Sequence, residues 1–402
     1  MRKNLLILAA VLAVSYSCSN DEVVETAATS ESNAISFRPL TNGMTRASDA
    51  HFNQANDEFK CTAFPTGTTT GAYFSNVVFS TTNGLTFTSS SKYYWPDNDG
   101  KLDFYAWAPS SYSAASGDYT SFVVTPGTTI GSQPDFVYAV TKGWGKTTRS
   151  GSAGVTINFR HAESKVAIKL QNTNPNLKIT VGNVSIGNLR GTETFSWNGV
   201  TDGTTPTAAA DANTDGKYTS GTLTYLNGTW TASSAQTSVY TVAMESAASY
   251  NVFDGTVAAK VLYSDGTYAP NYDMILIPQA LNIKTQYTEQ TPSNPAADDP
   301  FDGAFIKVQI KIQNKANEAY IVGAADTYVT AMWPLATVTT WLPGHKYTYT
   351  IDLAGGGYYE TNQGTTNDDL DPILGGAEIK FVTVTVDDWQ EATPAPTVYT
   401  GS

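Results

Sequence analysis

The sequence predicts an all-β protein made of antiparallel β-sandwich domains. Short segments in which apolar and polar residues alternate recur along the chain, and turn residues separate them. Charged residues make up only 15% of the sequence, and no long amphipathic run of helical period is present. At 402 residues the chain is long enough for two such domains.

The N-terminus has the pattern of a lipoprotein signal peptide. Arg2 and Lys3 precede the apolar run Leu5–Val14, which is too short to span a bilayer, and small residues then lead to Cys18. We expect residues 1–17 to be removed and Cys18 to carry lipid, palmitate included. Ser15 stands where such signals usually have leucine, so ordinary signal-peptidase cleavage nearby is the alternative.

The next segment predicts a tether followed by a removable strand. Residues 18–33 are polar and acidic, as expected of a flexible tether. Ile35 and Phe37 alternate with polar residues, and the turn signal Asn42-Gly43 leads to Arg46-Ala47. A trypsin-like protease that cuts after Arg46 would separate this first strand from the rest of the chain.

Two sandwich domains are predicted beyond this point, at residues 34–150 and 151–389, with a tail at 390–402. Leu102, Phe104 and Ala106 mark one face of a strand in the first domain. The Gly- and Ser-rich segment Gly143–Gly154 is the predicted boundary. In the second domain, Phe305–Ile312 alternates most regularly. In the last strand, Glu378–Val386, one face carries Val382, Val384 and Val386.

The composition and the motifs argue against nucleic-acid binding and catalysis. A net charge of −13 is unfavourable for contact with phosphates. The three histidines, His51, His161 and His345, lie in no recognisable catalytic or phosphate-binding motif, and we interpret His161 and His345 as hydrogen-bonding residues. No cofactor is expected.

A weak calcium-loop candidate is formed by Asp211, Asn213 and Asp215. The residue at position 12 of this loop is Thr222 rather than the bidentate glutamate, so a plain solvated loop is the favoured interpretation. The aromatic residues Tyr93, Tyr94, Trp95, Tyr105 and Trp107 could form a sugar-stacking platform, but core packing is favoured.

The chain resembles the Bacteroidetes fimbrillins, the Mfa-like and FimA-like lipoproteins that build type V pili. The resemblance follows the chain in order and rests on these motifs: Cys18 with the acidic run Ser19–Glu22, Ile35-Ser36-Phe37 with Thr45-Arg46-Ala47, Tyr94-Trp95-Pro96 before Lys101–Tyr105, Asp135–Ala139, Asn158–Lys165, Leu276–Gln279, Pro343–Tyr347 and Val384–Trp389.

The resemblance implies two transthyretin-like sandwich domains and a structural, non-enzymatic role. It implies lipoprotein export, anchoring at the surface of the outer membrane, cleavage after Arg46 by a trypsin-like protease, and assembly into a fimbrium by strand exchange. The implied partners are other pilin subunits, in a homo- or hetero-polymer, and a host or bacterial surface ligand for adhesion. In that scheme Ile35 and Phe37 fill a groove that a partner's strand later takes.

Two questions stay open at the level of the sequence. Pro394 and Pro396 suit a donated strand poorly, so an accessory or tip-like role stands beside a stalk or an anchor role. The alternative function is a surface glycan-binding lipoprotein that does not polymerise. It would use exposed aromatic residues around Tyr93–Trp95, or Trp333 and Trp341.

Overall fold

The structure is a computed structural model of the chain. It describes residues 33–39, 56–114, 121–147, 154–157, 159–196, 217–219, 222–225, 228–244, 250–256, 258–262, 273–283, 303–335, 338–361, 369–374 and 381–388.

Within these ranges the regular structure is β-strand with two short 3-10 turns, at Asp97–Asp99 and Leu353–Gly355, which confirms the all-β prediction. The strands are β1 (Phe37–Pro39), β2 (Glu58–Pro65), β3 (Phe74–Ser80), β4 (Leu102–Ala108), β5 (Ser121–Val124), β6 (Val137–Trp144), β7 (Val155–Ile157), β8 (Arg160–His161), β9 (Ser164–Gln171), β10 (Leu177–Arg190), β11 (Glu193–Ser196), β12 (Lys217–Thr219), β13 (Thr222–Tyr225), β14 (Gly228–Thr231), β15 (Gln236–Ala243), β16 (Val252–Phe253), β17 (Lys260–Val261), β18 (Met274–Leu276), β19 (Phe305–Asn314), β20 (Tyr320–Val322), β21 (Val329–Pro334), β22 (His345–Asp352), β23 (Tyr358–Thr361), β24 (Asp369–Pro372) and β25 (Phe381–Asp388).

The N-terminal strands form a sheet whose central strand, β4, is buried on both faces. Its order is β3-β2-β4-β6-β8. On β4, the predicted face of Leu102, Phe104 and Ala106 packs into one cluster, which we call the first core. It also holds Phe59 of β2 and two phenylalanines of β3, Phe74 and Phe79. Tyr105 and Trp107 point the other way, into a second core. Alternation along one strand therefore serves two hydrophobic layers.

The second core is closed by a separate five-stranded sheet, β12-β13-β14-β11-β5. Phe122 on β5, Phe195 on β11 and Trp230 on β14 are buried in it. Thr194 of β11 pairs with Val123 of β5, so residues distant in sequence share this layer.

The third core collects side chains from two further sheets. One has the order β17-β9-β22-β25, and the other runs β15-β10-β19-β21-β23-β24. On β19 the predicted inward row is fully buried, at Ile306, Val308, Ile310 and Ile312. On β10 the register shifts between Val181 and Val184, as it does at a β-bulge.

One strand that follows the predicted boundary at residue 150 packs with the N-terminal strands. β7 lies beyond that position, yet it pairs with β1, and Val155, Ile157 and Phe159 belong to the first core. Gly- and Ser-rich composition locates a loop, but it does not say which sheet receives the next strand. The strand pairing is also not purely antiparallel, because β1 pairs with β7 and β9 pairs with β22 in parallel.

Candidate functional site: the inserted first strand

The first strand lies between two other segments of the chain. On one side the amide of Ile35 donates to the carbonyl of Tyr93 (2.7 Å), and Phe37 and Phe87 exchange backbone hydrogen bonds of 3.0 and 2.9 Å. On the other side the amide of Val155 donates to the carbonyl of Ser36 (2.7 Å). The segment around β1 is therefore an interior strand with backbone partners on both edges.

The side chains of this strand are core residues. Ile35 is 2% exposed and Phe37 is 0% exposed, whereas Arg38 is exposed, as the alternation predicts. The Phe37 ring meets three other rings edge-on, with centroid distances of 5.5 Å to Phe59, 4.7 Å to Phe79 and 5.1 Å to Phe104. These edge-to-face contacts are the preferred geometry for aromatic pairs. We call the three rings around Phe37 the aromatic cage.

Cys61 belongs to the same layer. It lies on β2 among the first-core residues and is fully buried, and burial raises the pKa of its thiol well above the usual value. It forms no disulfide and packs as a small buried apolar residue. Its position makes it a natural reporter of whether β1 covers the first core.

Several predicted site residues lie outside the described residues. These are the lipidation candidate Cys18, the cleavage residues Arg46 and Ala47, and the calcium-loop candidates Asp211, Asn213 and Asp215. Across the described ranges, no group of three His, Cys, Asp or Glu side chains is placed to hold a metal ion. The same ranges contain no helix long and apolar enough to cross a membrane.

The last strand only partly follows the predicted core-facing row. β25 pairs along β22, with Val384 opposite Tyr349, and Val384 is half-buried against the third core. Val386 is 49% exposed, so the row does not continue to this residue. β25 is the end strand of its sheet among the described strands, and an edge position leaves part of a strand facing water. The side chain of Val382 lies outside the described residues.

The aromatic residues proposed for glycan stacking are mostly core residues. Trp333 and Trp341 are 2% and 0% exposed, and Trp341 donates to the hydroxyl of Tyr349, so neither can form a surface platform. Trp95, Tyr105 and Trp107 are also buried, which confirms the core interpretation for them. Tyr94, at 49% exposure, is the member of the set that faces solvent, and Tyr93 is half-buried against the first core.

A buried polar cluster was not recognised as a unit from the sequence. The carboxylate of Asp135 lies 2.9 Å from Nδ1 of His161, and Glu163 accepts a hydrogen bond from the backbone amide of Phe136. The backbone carbonyl of Glu163 also accepts from Gly344. His161 thus has the predicted hydrogen-bonding role, and Nδ1 of His345 lies 3.1 Å from the carbonyl of Pro343.

The signal for this cluster was present in the motifs that carry the family resemblance. Asp135–Ala139, Asn158–Lys165 and Pro343–Tyr347 are far apart in sequence, and the structure brings them together here. Asp135, His161 and Glu163 are all at most 5% exposed, which closes the cluster to a substrate. These motifs therefore form hydrogen bonds that join three segments of the chain where the three cores meet.

The described strands define an all-β protein with its first strand inserted between two other segments. A family model described as "Fimbrillin-like" matches residues 45–389. The chain belongs to this fimbrillin-like family. Membership makes it a fimbrial type of subunit, a component of a cell-surface appendage, and favours a structural role over an enzymatic one.

Solved structures of fimbrial and adhesion proteins resemble the chain at low identity. A fimbrial protein from Bacteroides vulgatus is 12% identical, with a TM-score of 0.46, and the alignment covers 89% of this chain and 100% of that one. A protein from Bacteroides uniformis, provisionally assigned to cell adhesion, is 15% identical with a TM-score of 0.45 over 89% and 98% of the two chains.

The tip fimbrial protein Mfa3 from Porphyromonas gingivalis, C-terminally truncated, is 8% identical with a TM-score of 0.35 over 88% and 98% of the chains. The curated proteins contain no significant match. The family assignment rests on the family model.

Proposed function

We propose that the protein is a fimbrial subunit exported as a lipoprotein on Cys18, cleaved after Arg46, and assembled by strand exchange. The observation that carries the proposal is the insertion of β1, which is buried, bonded on both edges, and followed by the predicted cleavage residue before β2 begins. The family model begins its match at residue 45, next to Arg46 and after β1. Because β1 lies outside the matched residues, the match supports a main part of the subunit that is distinct from its first strand.

Loss of β1 would leave an apolar groove with unpaired backbone groups. The rings of Phe59, Phe79 and Phe104 would lose the Phe37 ring, and the backbone groups of Phe87 and Val155 would lose their partners. Burial of a side chain such as Phe or Ile stabilises a protein by about 1.5–3 kcal/mol. Exposed strand edges also recruit other strands. A cleaved subunit would therefore favour a replacement strand.

The geometry of the groove specifies how such a strand would sit. A replacement that follows the path of β1 would run parallel to β7 and place alternate apolar side chains at the positions of Ile35 and Phe37. A strand supplied by one copy to the next makes a head-to-tail contact, which builds an open filament. The partners in this proposal are other pilin subunits, of the same or a different kind.

The position of β25 favours an accessory or tip-like subunit over a stalk subunit. β25 pairs with β22 over most of its length, from His345 opposite Asp388 to Ile351 opposite Phe381. Donation of this strand would require that ladder to open, and the tail beyond it contains Pro394 and Pro396. The proposed subunit accepts a strand more readily than it gives one. Adhesion to a host or bacterial ligand and outer-membrane anchoring complete the proposal.

The experiment replaces the cleavage residue in cells. Arg46→Ala should leave the chain unprocessed by the maturation protease, as measured by mass, and should remove the high-mass ladder on SDS gels. The matched control is Arg38→Ala, because Arg38 is an exposed basic residue in the same N-terminal segment. Normal processing and assembly of Arg46→Ala would overturn the cleavage step.

A surface glycan-binding lipoprotein is the second candidate, and one observation favours it. Tyr73 and Tyr94 are 40% and 49% exposed, and the Tyr73 hydroxyl donates to the Tyr94 carbonyl at 2.6 Å. Exposed tyrosine rings could stack on a sugar. Glycan-array binding by the monomer that is lost in Tyr94→Ala, with no polymer after any protease treatment, would support this candidate over the first.

A further inference from the structure

The buried polar cluster lies where the chain leaves the first core and enters the third. Asp135 precedes β6, His161 is on β8, and Glu163 directly precedes β9. Ala162, between the last two, is a second-core residue whose carbonyl accepts from Trp230 Nε1 at 2.8 Å. Glu163 also holds the turn before β22 through Gly344. A change of charge here would act on all three cores.

Each carboxyl group in the cluster has one oxygen that is bonded and one that is not. Asp135 Oδ2 is paired with His161, and Glu163 Oε2 accepts from the Phe136 amide at 2.8 Å. Asp135 Oδ1 and Glu163 Oε1 are buried and have no hydrogen-bond partner, and the same holds for the hydroxyl of Tyr112. A buried polar atom without a hydrogen-bond partner destabilises the folded state, and a charged one does so more strongly.

The negative charge of Asp135 opposes ionisation of Glu163. Among the described residues, Tyr112 and Tyr240 also interact electrostatically with Glu163, and His161 pairs with Asp135. A buried, isolated carboxylate is far more costly than a neutral carboxyl group. A proton on Glu163 removes that cost and turns one oxygen into a donor.

We propose that Asp135 and Glu163 form a buried proton-binding site, in which Glu163 carries one proton and faces the carboxylate of Asp135 that His161 holds. The proton removes the repulsion between the two acids and lets the segment Phe159–Ser164 link the cores. The site is independent of cleavage at Arg46, so its test stands apart from the proposed function.

The electrostatics give the sign of the pH dependence. Burial, and then the charge of Asp135, raise the pKa of Glu163 well above its ordinary value, against a smaller lowering by the Phe136 amide. A carboxyl group whose pKa is raised in the folded state stabilises the fold fully below its unfolded pKa. That contribution is lost as the pH rises through the folded pKa. The wild-type protein should therefore weaken from mildly acidic towards alkaline pH.

The test compares Glu163→Gln with the wild type across this pH range. A glutamine amide resembles the protonated acid, because it accepts from the Phe136 amide and also has N–H donors. The ratio of the folding constants, variant over wild type, should rise by up to about tenfold per pH unit above the ordinary glutamate pKa. A ratio that stays the same at every pH, whatever its size, would overturn the proposal.

Glu193→Gln is the matched control. Glu193 is also buried, at 2% exposure, but its two oxygens accept hydrogen bonds from Ser233 and Ser234, and Arg190 lies 3.5 Å away. Its carboxylate is satisfied as a charged group, so the substitution should destabilise the protein at neutral pH. A rising ratio in this variant as well would point to a global effect of charge and would overturn the assignment to Glu163.

A second measurement does not depend on any variant. In wild-type protein labelled with [13C]glutamate, one side-chain carboxyl should show the chemical shift of a protonated acid at neutral pH. The signal should titrate at higher pH than the exposed glutamates. Spectra in which every glutamate is ionised at neutral pH would overturn the proposal, even if Glu163→Gln did not fold.

Discussion

A β-carbon built on Gly154 would lie 2.7 Å from the backbone carbonyl oxygen of Ser36. Gly154 also has a φ of +84°, which L side chains rarely adopt. The backbone of the first strand therefore passes so close to the residue before β7 that only glycine fits between them. This contact ties a segment beyond the predicted domain boundary to the strand proposed to be removed.

Gly154→Ala should weaken the docking of β1 specifically. Gly67 is the matched control, because it has the same φ of +84° but no atom within 4 Å of a built β-carbon. The left-handed conformation alone costs an alanine about 1–2 kcal/mol. In urea unfolding, Gly154→Ala should therefore lose more stability than Gly67→Ala. Equal losses would contradict the close approach of Ser36.

Phe37→Ala should be among the most destabilising changes in the N-terminal segment. The substitution empties the aromatic cage, and removal of a buried phenylalanine costs about 3–5 kcal/mol. Arg38→Ala, one residue away and exposed, should change the free energy of unfolding by less than about 0.5 kcal/mol. Chemical denaturation measures both variants, and a small effect of Phe37→Ala would show that β1 is not part of the core.

Cys61 should report the removal of β1. In a Cys18→Ser chain, Cys61 is the remaining cysteine, and its buried thiol should react slowly with a thiol reagent. After cleavage at an engineered site in place of Arg46 and removal of the released segment, the reaction should accelerate. Addition of a peptide of residues 33–46 should slow it again. If neither removal of β1 nor addition of the peptide changes the reaction rate of Cys61, the first core does not have a groove that β1 covers.

The groove should select an aromatic residue at one position. A peptide of residues 33–46 with Phe37→Ala should bind the stripped body at least about 100-fold more weakly than the native peptide, since a loss of about 3 kcal/mol corresponds to two powers of ten. The Arg38→Ala peptide is the control and should bind like the native one. Calorimetry or fluorescence anisotropy measures the three affinities, and equal binding would rule out the aromatic cage as a specificity pocket.

Local patterns in the sequence predicted the faces of strands well. Ile35 and Phe37, and the row from Ile306 to Ile312, point inward as their alternation indicates, because a period of two is a property of the strand itself. The partner of each strand depends on distant residues. The parallel pairing of β1 with β7, across the predicted boundary at residue 150, could not be predicted from local composition.

The sequence predicted only part of the candidate site, because the contacts between distant strands cannot be derived from local patterns. Alternation identified Ile35 and Phe37, but the aromatic cage comes from β2, β3 and β4, and nothing local connects those rings. The pairing of Asp135 with His161 joins residues on different segments. The sequence alone allowed Trp333 and Trp341 to form a surface binding site, because aromatic residues occur both in cores and on binding faces. Their burial in the structure distinguishes the two roles.

The most direct test of the central claim is the N-terminal residue of the protein recovered from cell-surface material. The proposed function predicts a chain that begins at Ala47, without β1, in the assembled fraction. A chain in that fraction that begins at Cys18, with Ile35 and Phe37 still attached, would contradict it.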